Sequence, residues 1–79
     1  MPTEKIRSFI LRNFYVIDPS TLDDSASLRD SGIVDSTGVL ELISFIETEF
    51  GIKVADADLI PANLDSVERI GAYVERKLG

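Results

Sequence analysis

Apolar residues recur at helical spacing in three blocks of this chain, separated by stretches rich in Asp, Ser, Pro and Gly. In the first block Ile6, Phe9, Ile10 and Phe14 form one stripe of a helix that Thr3 can cap, with Glu4 in its first turn, and that ends near residues 13–15. The second block places Val39, Leu42, Ile43, Ile46 and Phe50 on one face of a central helix running from Ser36 to Phe50, and Gly51 stops it. In the third, Val67, Ile70, Val74 and Leu78 make the apolar face of a last helix. Asp65 and Glu68 have the spacing of a capping box at its start, and Arg76 and Lys77 suit its C-terminal end. Ile52 and Val54 return the intervening chain to the core, and Asp56 to Ile60 can form only a short helix before Pro61. Period-two alternation is nearly absent, so no sheet is expected.

These elements predict an all-α fold: a small four-helix bundle, with three longer helices and one short, in a single domain over residues 1–79. The first two helices are joined by a long loop, Val16 to Asp35, in which Leu22, Leu28 and Ile33 are the expected pins into the core. Structureless connections of that length are uncommon in compact domains and usually functional. Within it Gly32 is placed to supply a positive φ, whereas Gly38, in the first turn of the central helix, leaves room beside Ser36.

Composition narrows the chemistry. A chain of 79 residues hides only about 60% of its unfolded surface on folding, so the core is small. Cys and His are both absent, which excludes a thiol nucleophile, disulfides and the usual zinc sites. Asp56 and Asp58 are not continued by the other ligands of a calcium loop. An enzyme is therefore not expected. The N-terminus lacks an apolar signal core and no apolar run approaches the roughly 20 residues that span a bilayer, so no membrane insertion and a cytoplasmic monomer are expected. The net charge of −6 disfavours nucleic acid and favours basic partners. Residues 18 to 65 hold eleven acids against two bases, Arg29 and Lys53, for a net −9.

Those acids surround Ser36. The pair Asp35-Ser36 closes the long loop and opens the most apolar helix, so Ser36 sits where orphan amides and the helix dipole favour an anion. Taken alone the pair reads first as an ordinary helix cap. Its context is Ser27-Leu28-x-Asp30-x-Gly32-Ile33-x-Asp35-Ser36, followed by Glu41, Leu42, Glu47, Glu49 and Phe50. This region resembles the attachment segment of the acyl, peptidyl and aminoacyl carrier proteins.

The resemblance implies an acyl-carrier-protein-like bundle that bears 4'-phosphopantetheine, drawn from coenzyme A, on Ser36. The arm's thiol would supply the nucleophile that the sequence lacks and would hold an acyl or aminoacyl cargo. Asp35 then has two compatible readings, a helix cap or part of the surface that the phosphopantetheinyl transferase recognises. Thr37, Leu40, Glu41, Ser44 and Glu47 lie on the side of the central helix away from the core, and the resemblance makes them the partner-binding face. The partners implied are that transferase, an acyl- or aminoacyl-activating ligase, and downstream transferases with basic docking surfaces. Fatty-acid-type members commonly carry Leu after the serine and a larger apolar residue eight positions on, where this chain has Thr37 and Ser44. The chain therefore looks more like the freestanding D-alanyl and other aminoacyl carriers. Phe9, Phe14 and Phe50 at core positions, with Phe45 at the border under the long loop, predict a filled interior and short or polar cargo. The alternative from another class is a small acidic helical adaptor without a prosthetic group.

Overall fold

The computed structural model describes residues 2–14, 16 and 22–79; Tyr15 and the part of the predicted loop at 17–21 lie outside the described residues. Helix α1 spans Pro2–Asn13, α2 Ser36–Phe50, α3 Pro61–Leu64 and α4 Val67–Leu78, with one 3-10 turn at Asp56–Asp58. All regular structure among the described residues is helical, as the hydrophobic period predicts. No helix among them is long and apolar enough to cross a membrane.

The core forms where the stripes meet. Ile6 and Ile10 of α1, Leu42 and Ile46 of α2, and Val67, Ile70 and Val74 of α4 are fully buried together. Phe9, Phe14, Val39 and Phe50 pack against that cluster from its edge. Burying a side chain of this size contributes about 1.5 to 3 kcal/mol relative to leaving it in water. Helices α1 and α4 approach so closely that a Cβ on Gly71 would lie 2.5 Å from Thr3 Cγ2. Any larger residue at 71 would overpack that seam, typically at about 1 to 3 kcal/mol.

Several local expectations are corrected. Helix α1 starts at Pro2, whose fixed φ suits a first helical position, so Thr3 lies inside the first turn rather than capping it. The short helix expected ahead of Pro61 is present as the 3-10 turn over Asp56–Asp58, while Pro61 itself opens a further helix, α3, that the apolar pattern does not predict. The N-cap of α4 is Ser66, whose hydroxyl accepts from the Arg69 amide at 3.0 Å, and the capping box of Asp65 and Glu68 does not form. On α4 the apolar face ends early: Leu78 is 57% exposed, whereas Tyr73 is buried and donates to Asp58 at 2.7 Å. Burial first, and then that hydrogen bond, push the Tyr73 hydroxyl up to about 12. Gly51 ends α2 as expected, at φ 68°, with its amide bonded to the Glu47 carbonyl at 3.0 Å.

The long connection is fastened rather than slack. Leu22 and Leu28 are buried as predicted and Ile33, half-buried, packs against the core, while Val34 is a further, fully buried pin. Near its start, Arg7 of α1 donates to the Leu22 carbonyl and to Asp24. The Asp24 carbonyl then accepts from the Glu68 amide at 2.8 Å, which ties the loop to the first turn of α4. A few residues later Asp65 takes three bonds: its carbonyl accepts from the Leu28 amide at 2.7 Å, Oδ2 from the Ser27 hydroxyl at 2.7 Å, and Oδ1 from the Arg29 amide at 3.1 Å.

The Ser27 hydrogen bond is the largest influence holding the Asp65 carboxyl below its ordinary value of 3.8; burial opposes it, and the Arg29 bond reinforces it. A carboxylate with a depressed folded-state pKa contributes stability that is complete above its unfolded value and is lost as pH falls through the folded one. Asp65→Asn should therefore be less stable than the parent near neutral pH, by about 1 kcal/mol given that charged hydrogen bonds are discounted by partial exposure. The gap should close as pH falls below 3.8. Urea unfolding of both proteins across that range checks this, and a gap unchanged in acid contradicts it.

Candidate functional site around Ser36

Segment 27–35 sets the position of the helix start. The Leu28 carbonyl accepts from the amides of Ile33 and Val34, both at 3.1 Å, and from the Ser31 hydroxyl, also at 3.1 Å. Gly32 turns the chain at φ 77°, as expected. With Leu28 and Val34 both buried, the next two residues emerge at the surface in a fixed place. Asp35 is the N-cap of α2, in extended conformation, and its Oδ1 accepts from the Gly38 amide at 2.6 Å. Of the two readings of Asp35, the helix cap is thus present in the geometry.

Ser36 is the first residue of α2 and is exposed; its hydroxyl has no hydrogen-bond partner among the described residues. The space beside Gly38 is not free for a ligand. A Cβ there would stand 2.6 Å from Phe14 Cε1 and 3.2 Å from Asp35 Oδ1, so the missing side chain admits the Phe14 ring against the first turn. Gly38 serves packing behind Ser36 rather than room in front of it.

The room lies on the other side. A crevice of about 300 Å³ opens next to Ser36, walled by Val39 of α2, by Leu28 and Val34 of the loop, and by Leu59, Ile60 and Leu64 opposite. Arg29, Asp35 and Asp65 bring charge to it. Leu59 and Ile60, 41% and 47% exposed, were missed by the sequence reading. Two adjacent apolar residues ahead of a proline carry no period; their only signal was being apolar in an otherwise acidic segment.

The predicted partner face divides. Thr37, Leu40, Glu41 and Ser44 are all exposed, Leu40 at 65%. Glu41 and Ser44 border a shallow groove toward α1 with Phe9, Asn13 and Phe45, away from the crevice. Glu47 is different: half-buried, it accepts from the Val54 amide at 2.9 Å and so closes the turn after α2. Phe45 meets α1, and any contact with loop residues 17–21 lies outside the described residues. Its ring stacks on Phe9 with centroids 4.1 Å apart, and Phe14 and Phe50 meet this pair edge-on, each at 6.0 Å. The four rings form a seam between α1 and α2 and leave the crevice beside Ser36 open.

The arrangement can present one alcohol to an external enzyme, on a rigid base and beside an apolar shelf. No three Asp or Glu side chains among the described residues are grouped to hold a metal ion. An exposed hydroxyl with no competing bond, next to a crevice that a flexible chain could follow, fits a bulky group attached through Oγ.

Comparison with known proteins places the chain. The family model for the phosphopantetheine attachment site matches residues 4–74. An acyl carrier protein of Thermotoga maritima is 39% identical over 75 residues, covering 95% of this chain and 89% of that protein. A D-alanyl carrier protein of Abiotrophia defectiva is 32% identical over 56 residues, 71% of each chain. A probable acyl carrier protein of a Serratia strain, PigG, is 28% identical over 76 residues, 96% of this chain and 87% of its own length. With the motif, the helical fold and a family match over nearly the whole chain in agreement, this protein belongs to the phosphopantetheine-bearing carrier protein family.

Proposed function

We propose that Ser36 is the residue that bears 4'-phosphopantetheine, in a single carrier domain over residues 1–79 that is modified and loaded by other enzymes and is not itself a catalyst. The observation that carries this reading is the exposed, unbonded Ser36 hydroxyl at the first position of α2 beside the crevice. When bound, the group supplies a flexible arm ending in a thiol that holds cargo as a thioester. In the modification the Ser36 oxygen bonds to the phosphorus nearer the pantetheine, the phosphate anhydride of coenzyme A breaks, adenosine 3',5'-bisphosphate leaves, and the hydroxyl proton is released. Asp35 holds the first turn in place through Gly38, and its exposed carboxylate is available to the transferase. The family match does not favour the adaptor without a prosthetic group.

The partners in this reading are a phosphopantetheinyl transferase, an acyl- or aminoacyl-activating ligase and downstream transferases, all presenting basic surfaces to a monomer in the cytoplasm. Thr37, Leu40, Glu41 and Ser44 form the docking face: Leu40 is the apolar contact, and Glu41 is its nearby anion. Glu47 enters this reading only through its acidic field, because its carboxylate is committed to Val54. The cargo is a short acyl or aminoacyl group. A crevice of about 300 Å³ is at the lower end of the range for small-molecule pockets, and its mouth is charged.

Incubation with coenzyme A and a broad-specificity phosphopantetheinyl transferase should add the mass of one arm to the parent and none to Ser36→Ala. That variant should keep its helical circular dichroism and thermal midpoint, since Asp35 rather than Ser36 supplies the cap. A full mass gain in the variant, or its failure to fold, rules out the assignment. In the same assay Glu41→Lys should slow modification at low salt and approach the parent rate as added salt screens the charge over about 10 Å at 0.1 M. Cargo is tested by comparing amide NMR shifts of the bare arm form with forms charged with an amino acid and with an eight-carbon acyl chain. The aminoacyl form should perturb only residues around Ser36 and the crevice. Large shifts at buried Ile46 and Val67 with the longer chain would contradict short cargo.

A further inference from the structure

The acidic middle of the chain holds two cations, and one of them stands beside Ser36. Between residues 18 and 65 the only bases are Arg29 and Lys53, against eleven acids, and Arg29 lines the same crevice as Ser36. Its backbone is held at both ends: the amide donates to Asp65 Oδ1 at 3.1 Å, and the carbonyl accepts from the Gly32 amide at 3.1 Å. Its side chain is exposed, and the guanidinium has no hydrogen-bonded or ion-paired partner among the described residues. The nearest competitor for it is Asp65. Both oxygens of that carboxylate already accept bonds, from the Ser27 hydroxyl and from the Arg29 amide, and the guanidinium acts on it only through space. Arg29 is thus a fixed base with an uncommitted fork of donors.

An anion brought to Ser36 has the helix dipole in its favour but, without Arg29, only carboxylates among the charged side chains around it. Asp35 and Asp65 line the crevice and Asp30 is exposed just before it, so a phosphodiester would be pushed away from the apolar walls. A guanidinium can pair two phosphate oxygens at once, which fixes direction as well as charge. We propose that Arg29 is the counter-ion of the phosphodiester on Ser36 and turns the arm toward the crevice walled by Val39, Leu59 and Leu64. This rests on Ser36 as the attachment residue. It makes Arg29 a positioning residue for the arm and its cargo.

The test uses the 79-residue chain labelled with nitrogen-15, in parent, Arg29→Gln and Arg29→Lys forms. Each is modified with coenzyme A and a broad-specificity transferase and checked by intact mass before any resonance is compared. On modification of the parent, the Arg29 Nε–H resonance should move more than those of Arg7, Arg12, Arg69 and Arg76, and the amides of Val39, Leu59 and Leu64 should shift. In Arg29→Gln the modification should still go to completion, while the shifts at Val39, Leu59 and Leu64 are lost and the phosphorus-31 resonance is displaced from the parent's. Arg29→Lys, which keeps the charge without the fork, should retain part of the crevice shifts. Salt should erase the parent's difference from Arg29→Gln, since screening tightens to about 3 Å at 1 M. An unmoved Arg29 resonance at low salt, or identical crevice shifts in Arg29→Gln, overturns the pairing while leaving Ser36 in place. A parent that gains no mass overturns the Ser36 assignment, and the pairing with it.

Discussion

Asp65 is the residue on which the site depends. Lying between α3 and α4, it gathers the Ser27 hydroxyl and the Leu28 and Arg29 amides, residues more than thirty positions away in the chain. A loop of this length has no regular ladder to satisfy its backbone, so its polar groups need partners elsewhere. Here Asp65 and the Asp24–Glu68 bond supply them, with Leu22, Leu28 and Val34 as the apolar anchors between. The consequence for function is positional. Val34 is buried, Asp35 caps, and Ser36 emerges on a helix whose first turn is backed by Phe14 through Gly38.

A carrier needs a mobile arm on an immobile base, and the structure separates those requirements. The base is built from the loop, the start of α2 and the α3–α4 corner. Tyr73, Asn63 and the arginines of α4 stiffen that corner: Tyr73 bonds Asp58, Arg76 bonds Asn63 at 2.8 Å, and Arg69 bonds the Pro61 carbonyl at 3.2 Å. The aromatic seam stiffens the opposite side, between α1 and α2. Between them the crevice is left open, with charge at its mouth and apolar walls inside.

What the sequence made legible follows from range. Three amphipathic helices, the stop at Gly51, the turn at Gly32 and the Asp35-Ser36 helix start are local patterns, and the structure has all of them. The four residues of α3 are too few for a period, so Pro61 read as a terminator rather than a first position. Ser66 and Asp65 competed for one cap on equal local terms. The choice was made by Ser27 and its neighbours, which claimed the Asp65 carboxylate from the far side of the fold. The contacts of Glu47 and Phe45 were not legible for the same reason, since the Val54 amide and the Phe9 ring that engage them lie on other elements. The crevice depends on three segments meeting, and no single stretch of sequence announces it.

The central claim is that the Ser36 platform is preformed, as firmly folded as the core, before any group is attached. Native-state hydrogen exchange of the unmodified protein tests it directly, using the Leu28 and Glu68 amides, which close the loop onto α4, against the Ile70 amide inside α4. With a preformed platform all three amides open with the same free energy, in the global unfolding event. Exchange of Leu28 and Glu68 at unprotected rates while Ile70 stays protected would contradict it, and would mean that the loop takes its shape only when a partner arrives.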